Sequence, residues 1–376
     1  MTLDSYFVVT TPGLETITAG EMQALGIEPA EVESGGILFK GDVPALYSAN
    51  LHLRTANRVL ARLGNFFRAT TFPGLKERLV ALPWERFLAP GKPVSLRVTC
   101  HHSRLYHSDA VARTLLSALE KRLGAPSPLV KASEEGDQSA QLVIVRLQDD
   151  ICTVSMDSSG IPLHKRGYRQ AVAKAPLRET LAAAMLIASG WDRQSPLLDP
   201  FCGSGTIPIE SAQMACRVPP GISRVFRFSD WPVFDKEKWN GVLAGAKNGI
   251  ADTKPSIFGY DRDAGAIEFS QANAARAGQK NNIKFLQQAV SYLESPSTIG
   301  TIVTNPPYGV RTKESNDLRD LFARFGAILL EKFKGWTVVM LSPDDVLTGN
   351  LGLSQPDETL RFLNGGLPVK ILKYKL

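Results

Sequence analysis

The sequence predicts an α/β protein with a doubly wound parallel sheet in its C-terminal half, preceded by two smaller α/β units. Three observations carry this expectation. From residue 196 onward, short apolar or β-branched runs alternate with turns and helical stretches, as in a sheet with crossover helices. Gly26, Gly124, Gly190 and Gly278 close helical stretches in the position that favours a left-handed backbone. The 376 residues also suffice for two or three separate cores.

Composition narrows the class. A hydrophobic fraction of 44% with 21% charged residues is that of a soluble globular chain. The net charge of +6 leans toward polyanionic partners. Cys100, Cys152, Cys202 and Cys216 are scattered without metal-type pairs, which fits a reducing, cytoplasmic setting and no metal centre. The opening residues are not those of a signal peptide, and no apolar run reaches membrane-span length, so no membrane role is expected.

The first unit spans residues 1–65. Tyr6 to Thr10 reads as a strand, Leu14 to Leu25 as a helix, and Ile37 to Lys40 as a second strand; Asp42 caps a helix with Leu46 and Leu51. Arg54, Arg58 and Arg62 recur every four residues, which predicts one helix face, either a solvated surface or a phosphate-facing stripe. The second unit spans 66–157. It holds a strand at Val94 to Val98, a helix from Ala110 to Leu123, and a hairpin turning at Asp149-Asp150. Cys100, His101, His102 and His107 lie between that strand and helix without zinc-ligand spacing. A basic connector follows at 158–178, where His164-Lys165-Arg166-Gly167-Tyr168-Arg169, Lys174 and Arg178 occur without an intervening acid. Such a run is a charged linker or a nucleic-acid contact.

The last unit, 179–376, carries the chemistry. An Ala-rich helix beginning near Ala175-Pro176 ends at Ser189. Leu197 to Asp199 is a strand, followed by the loop Pro200-Phe201-Cys202-Gly203-Ser204-Gly205-Thr206 and a helix. The two glycines permit close approach of a ligand to the backbone, and the helix start offers free N–H groups. The third glycine of the dinucleotide fingerprint and the Gly-Lys-Ser/Thr of a P-loop are both missing. Asp199 is placed to meet a cationic ligand end. Asp261 closes the next strand, where an acid can take two ribose hydroxyls. Ile283 to Gln288 and Thr301 to Thr304 are the next strands. Asn305-Pro306-Pro307-Tyr308 then forms a stiff turn, because neither proline can donate to a ladder. The Asn305 side-chain oxygen and the Pro306 carbonyl are two acceptors that match the two N–H groups of a planar amine, and Tyr308 offers a face for a base. Between Glu210 and Asp230 no acid occurs; the insertion at 217–247 carries Arg224, Arg227, Trp231 and Trp239, either to help hold an extruded base or as packing residues. An antiparallel pair turning at Asn364-Gly365-Gly366 ends the chain.

Leu198-Asp199-Pro200-Phe201-Cys202-Gly203-Ser204-Gly205-Thr206, Gly259-Tyr260-Asp261 and Asn305-Pro306-Pro307-Tyr308, in that order, resemble the motifs of class I S-adenosylmethionine-dependent methyltransferases, whose fold is Rossmann-like. Ser103-Arg104-Leu105-Tyr106-His107-Ser108 resembles the core of a THUMP domain, an RNA-binding module that follows a ferredoxin-like domain in its family. The connector, Ala175 to Ala183, and Thr304-Asn305-Pro306-Pro307-Tyr308-Gly309-Val310-Arg311 are similar to those of bacterial THUMP-bearing guanine-N2 methyltransferases of 23S rRNA.

That resemblance implies S-adenosylmethionine as cofactor, no metal, and structured RNA as partner, 23S rRNA or tRNA. It implies Asn305, Pro306 and Tyr308 as catalytic. It assigns the cofactor to Asp199, Pro200, Phe201, Gly203, Ser204, Gly205, Thr206, Asp261, Arg262, Gln288, Ala289 and Asn305, and RNA to Arg54, Arg58, Arg62, Ser103, Arg104, His107, Lys165, Arg166, Tyr168 and Arg169. One departure stands out: the family has an Asp where this chain has Ala289, which leaves the cofactor adenine to backbone groups or Gln288. Alternatives are tRNA guanine-N2, adenine-N6 or protein glutamine methylation, and a non-catalytic RNA-binding assembly factor.

Overall fold

The computed structural model describes residues 3–131, 139–170, 177–308, 315–343, 345–364 and 366–376. Lys174, Ala175-Pro176, Gly309-Val310-Arg311 and Gly365, singled out above, lie outside these residues.

The first sheet is built from both N-terminal units. β1 (Asp4–Val9), α1 (Glu15–Ala24), β2 (Pro29–Glu33), β3 (Gly36–Gly41), α2 (Val43–His52) and β4 (Arg58–Arg62) form a βαββαβ unit with spatial order β2-β3-β1-β4, a ferredoxin-like arrangement. The Asp42 carboxylate caps α2 by accepting from the Ala45 N–H at 3.0 Å. β5 (Phe67–Arg68), α3 (Phe72–Val80), β6 (Val94–His101), α4 (Ser108–Leu123), β7 (Gln141–Gln148) and β8 (Ile151–Asp157) follow. β4 pairs antiparallel with β8, Leu60 opposite Asp157, so one eight-stranded sheet runs through residues 4–157. Asp149 and Asp150 both adopt positive φ in the two-residue turn between β7 and β8, the backbone that matches strand twist in a tight hairpin.

The second sheet has seven strands. α5 (Glu179–Ser189) precedes β9 (Leu197–Asp199), α6 (Thr206–Ala215), α7 (Lys236–Asn248), β10 (Ile257–Asp261), α8 (Ala264–Arg276), β11 (Lys284–Gln287), β12 (Thr301–Thr304), α9 (Ser315–Lys332), β13 (Thr337–Ser342), α10 (Asp345–Gly349), β14 (Glu358–Asn364) and β15 (Leu367–Lys375). The order is β11-β10-β9-β12-β13-β15-β14, parallel except for the antiparallel pairs made by β15. Both faces are covered. Leu197, Val303, Val339 and Leu341 enter one core, and Leu198, Ile302, Val338 and Met340 the other, so these strands read as continuous apolar runs.

The arginine stripe is corrected. Arg58 and Arg62 lie on strand β4 and Arg54 in the turn after α2, so no helix face exists. Arg58 is buried on Asp157 and the Gly160 carbonyl. Arg62 donates to the Ser155 hydroxyl at 2.9 Å and lies over the Phe7 ring.

For the insertion, the packing alternative is the one the structure shows. Phe226, Phe228 and Trp231 join the core of the first sheet, and Trp239 packs edge-on against Tyr47 and Phe228. The Trp231 indole donates to Gln141 at 2.8 Å. Arg224 donates to the carbonyls of Ile161, Pro162 and Lys165. Trp231 thus ties the insertion to the N-terminal half and Arg224 ties it to the connector, and neither is available to hold a base.

Candidate active site at the ends of three adjacent strands

β10, β9 and β12 lie side by side, and the chain reverses its order across the sheet between β9 and β12. A parallel sheet opens a crevice at such a point. Asp261, Asp199 and Asn305 stand at or just past the carboxyl ends of these three strands. The Thr304 hydroxyl donates to Asp199 at 2.7 Å, linking the ends of β12 and β9. Asp199 is buried, and that burial pushes its carboxyl up to about 7 against the opposing bonds from Thr304 and the Phe201 N–H.

The glycine loop is tied at its backbone to the end of β10. The Cys202 N–H donates to the Tyr260 carbonyl at 2.9 Å, and the Gly203 N–H to Asp261 Oδ2 at 3.0 Å. Gly203 and Gly205 both have positive φ. A side chain added at Gly203 would meet only open space, whereas one at Gly205 would press on Ser270 and Phe285 at 3.1–3.2 Å. One glycine therefore borders a crevice and the other a packed wall. Pro200, Ser204 and Thr206 are buried, and the Phe201 ring meets Phe325 edge-on. Asp261 Oδ1 accepts the Asp263 N–H at 3.0 Å, and a carboxylate with one bond on each oxygen still has lone pairs for two hydroxyls. Burial holds the Cys202 thiol well above its ordinary range, so it is inert as a nucleophile.

Beyond β12, Asn305 Oδ1 is buried without a hydrogen-bond partner. A buried acceptor left unpaired costs about 1–3 kcal/mol, and among the described residues no donor meets it. Pro306 is buried, and Tyr308 is half-buried at the edge of the core that contains Phe322 and Phe325. Gln288 follows β11, donating its N–H to the Asp261 carbonyl and its side-chain amide to the Tyr292 carbonyl at 2.9 Å; Ala289 comes next, and Arg262 is exposed. These groups fit a nucleoside carrying a cationic end: a loop open at Gly203, a diol-capable Asp261, and a buried acid at Asp199.

The expected RNA contacts divide. Ser103 and Arg104 lie beside the β7–β8 turn and His107 directly precedes α4; Arg104 and His107 are exposed, while Ser103 accepts the Asp150 N–H. The connector's Arg166 and Tyr168 are buried on Glu210 of α6, which is fully buried and also faces Arg54, while Arg169 pairs with Glu179 at 2.7 Å. The surface reading of Arg166, Tyr168 and Arg169 is corrected: their acids lie 10 to 44 positions away in the chain. Lys165 is half-buried and donates its N–H to the Pro162 carbonyl. Ser270, Asn273 and Glu210 escaped the sequence reading, because single polar residues inside helices carry no motif.

A family model for the RMKL-like, methyltransferase domain matches residues 166–368, and one for the RlmL ferredoxin-like domain matches residues 5–60. A protein of Synechocystis, named as a candidate RNA methyltransferase, is 33% identical over 373 residues, 99% of this chain and 96% of its own length. A structure described as a possible methylase from Clostridium difficile is 30% identical with a TM-score of 0.88, covering 100% of this chain and 98% of that one. A structure of a candidate methyltransferase complexed with S-adenosylhomocysteine is 28% identical with a TM-score of 0.87, again covering 100% and 98%.

Proposed function

The chain belongs to the RMKL-like methyltransferase family, and we propose that it methylates the exocyclic N2 amine of a guanosine in 23S rRNA, with S-adenosylmethionine as cofactor. The observation that carries this reading is the buried, unpartnered Asn305 Oδ1 at the end of β12, beside the Asp199–Thr304 bond. Bound at the crevice, the cofactor supplies an electrophilic methyl group on a sulfonium. Asp261 would hold its ribose and the loop of residues 203–206 its amino-acid end, near Asp199.

Asn305 Oδ1 and the Pro306 carbonyl would accept the two N–H bonds of the amine. This favours the pyramidal nitrogen, whose lone pair is otherwise delocalised into the base, and aims it along the line of transfer. The half-buried Tyr308 would stack on the base. In this reading residues 66–157 hold RNA through Arg104, His107 and their neighbours, apart from the catalytic turn. An RNA substrate is supported by the positive net charge and by the Synechocystis relative's name.

The test is methyl transfer from labelled S-adenosylmethionine to unmodified 23S rRNA, bulk tRNA and double-stranded DNA in parallel, with the labelled nucleoside identified by mass spectrometry. N2-methylguanosine from 23S rRNA is expected. The same nucleoside from tRNA alone moves the substrate, and methyladenosine overturns the base assignment.

A further inference from the structure

α8 packs against the glycine loop and carries two fully buried polar side chains, one turn apart. The Ser270 hydroxyl donates to the Gly203 carbonyl at 2.7 Å, and Asn273 Nδ2 donates to the Ser204 carbonyl at 3.0 Å. Buried polar groups in an otherwise apolar helix face need a reason. Ala266, Ile267 and Ala274 are the buried apolar residues of this same helix.

We propose that Asn273 and Arg276 are positioning residues that set the backbone of the cofactor loop. The inference rests on the reading of residues 203–206 as that loop. A guanidinium is donor-only, and Arg276 Nη2 donates to Asn273 Oδ1. The amide is therefore locked with its NH2 toward the Ser204 carbonyl. Arg276 is anchored in turn, its Nε donating to the Tyr168 carbonyl at 2.8 Å. The Tyr168 hydroxyl donates to Glu210 at 3.0 Å, on the helix that the loop opens. Arg54 approaches Glu210 at 3.8 Å and donates through Nη2 to the Val218 carbonyl at 2.6 Å. The loop is thus held from two sides by bonds that start in the connector and the N-terminal half. Nothing in this chain of contacts touches the reacting atoms.

The test uses the full chain, with calorimetric titration of S-adenosylhomocysteine and a thermal melt for each protein. Asn273→Asp keeps the shape and the Arg276 partner but replaces the donor to the Ser204 carbonyl with an oxygen that repels it. It should weaken S-adenosylhomocysteine about tenfold, equivalent to about 1.4 kcal/mol. The KM for S-adenosylmethionine should rise in step and the KM for 23S rRNA should not. Arg276→Ala, at an exposed position, frees the amide to rotate and should weaken binding about threefold, whether or not Asn273→Asp folds. Unchanged affinity in a folded Asn273→Asp protein, or in Arg276→Ala, overturns the assignment. Failure of the unaltered protein to bind S-adenosylhomocysteine would instead sink the cofactor reading beneath it.

Discussion

Asn305→Ala should separate turnover from stability. In the free protein Asn305 Oδ1 is buried and accepts nothing from the described residues. Truncation therefore breaks no bond to this oxygen and relieves an unpaired acceptor worth about 1–3 kcal/mol. The loss of a few packing contacts works against that gain, so the melting temperature should hold or rise. The catalytic loss should be large, because a preorganised group aimed at the reacting centre is worth about 10²–10³ in kcat, or roughly 2.7–4 kcal/mol. S-adenosylhomocysteine affinity should stay within about threefold, since Asp261, Asp199 and the loop are untouched. Urea melts, calorimetry and single-turnover methyl transfer give the three readouts. A stability loss above about 1 kcal/mol, or a drop in ligand affinity equal to the drop in turnover, refutes the role given to this oxygen.

Asp199, with its carboxyl pushed up to about 7 by burial, is largely protonated below that pH in the free protein. A raised carboxylate contributes stability that is present below an ordinary value near 4 and is lost as pH rises through about 7. A cationic ligand end favours the ionised form, so S-adenosylhomocysteine affinity should rise about tenfold from pH 6 to 8 with proton release, and Asp199→Asn should flatten the profile; calorimetry in buffers of different ionisation heat reads both. Gly205→Ala places a methyl 3.1–3.2 Å from Ser270 and Phe285 at a positive φ, so it should cost about 1–3 kcal/mol in a urea melt, and an unchanged midpoint would contradict the packing described. Arg58→Ala strands the buried Asp157 and should destabilise by about 3–5 kcal/mol, a loss absent if Arg58 were a surface contact. Arg104→Gln, at an exposed position that pairs loosely with Asp150, should change stability by at most about 1 kcal/mol and lower the salt dependence of RNA binding; an unchanged slope would remove Arg104 from the RNA surface.

The strand-loop-helix order, the acid at the end of β10, and the proline-stiffened turn after β12 were all legible because each is local. A glycine pair, a strand-terminal carboxylate and Asn-Pro-Pro-Tyr write their backbone geometry into a few adjacent residues. Arg58 and Arg62 show where this fails. A spacing of four fits one face of a helix and, being even, also one face of a strand. Only pairing with β1 and β8 decides between them. The seven-strand order and the cover on both faces of the second sheet were foreseen only in outline, from continuous apolar runs.

By itself the sequence determined the fold class, the glycine loop after β9 and the turn that follows β12, since these depend on short-range sterics and on which strand ends carry polar groups. The tertiary structure alone decided the fate of the charges. Arg54, Arg166 and Tyr168 look like a nucleic-acid surface until Glu210 is found at 3.0–3.8 Å from all three. Arg224 reads as free until it meets three backbone carbonyls. The physical reason is range: a buried ion pair forms between side chains brought together by packing, and the separation of Arg54 from Glu210 along the chain leaves no trace in the local pattern of either.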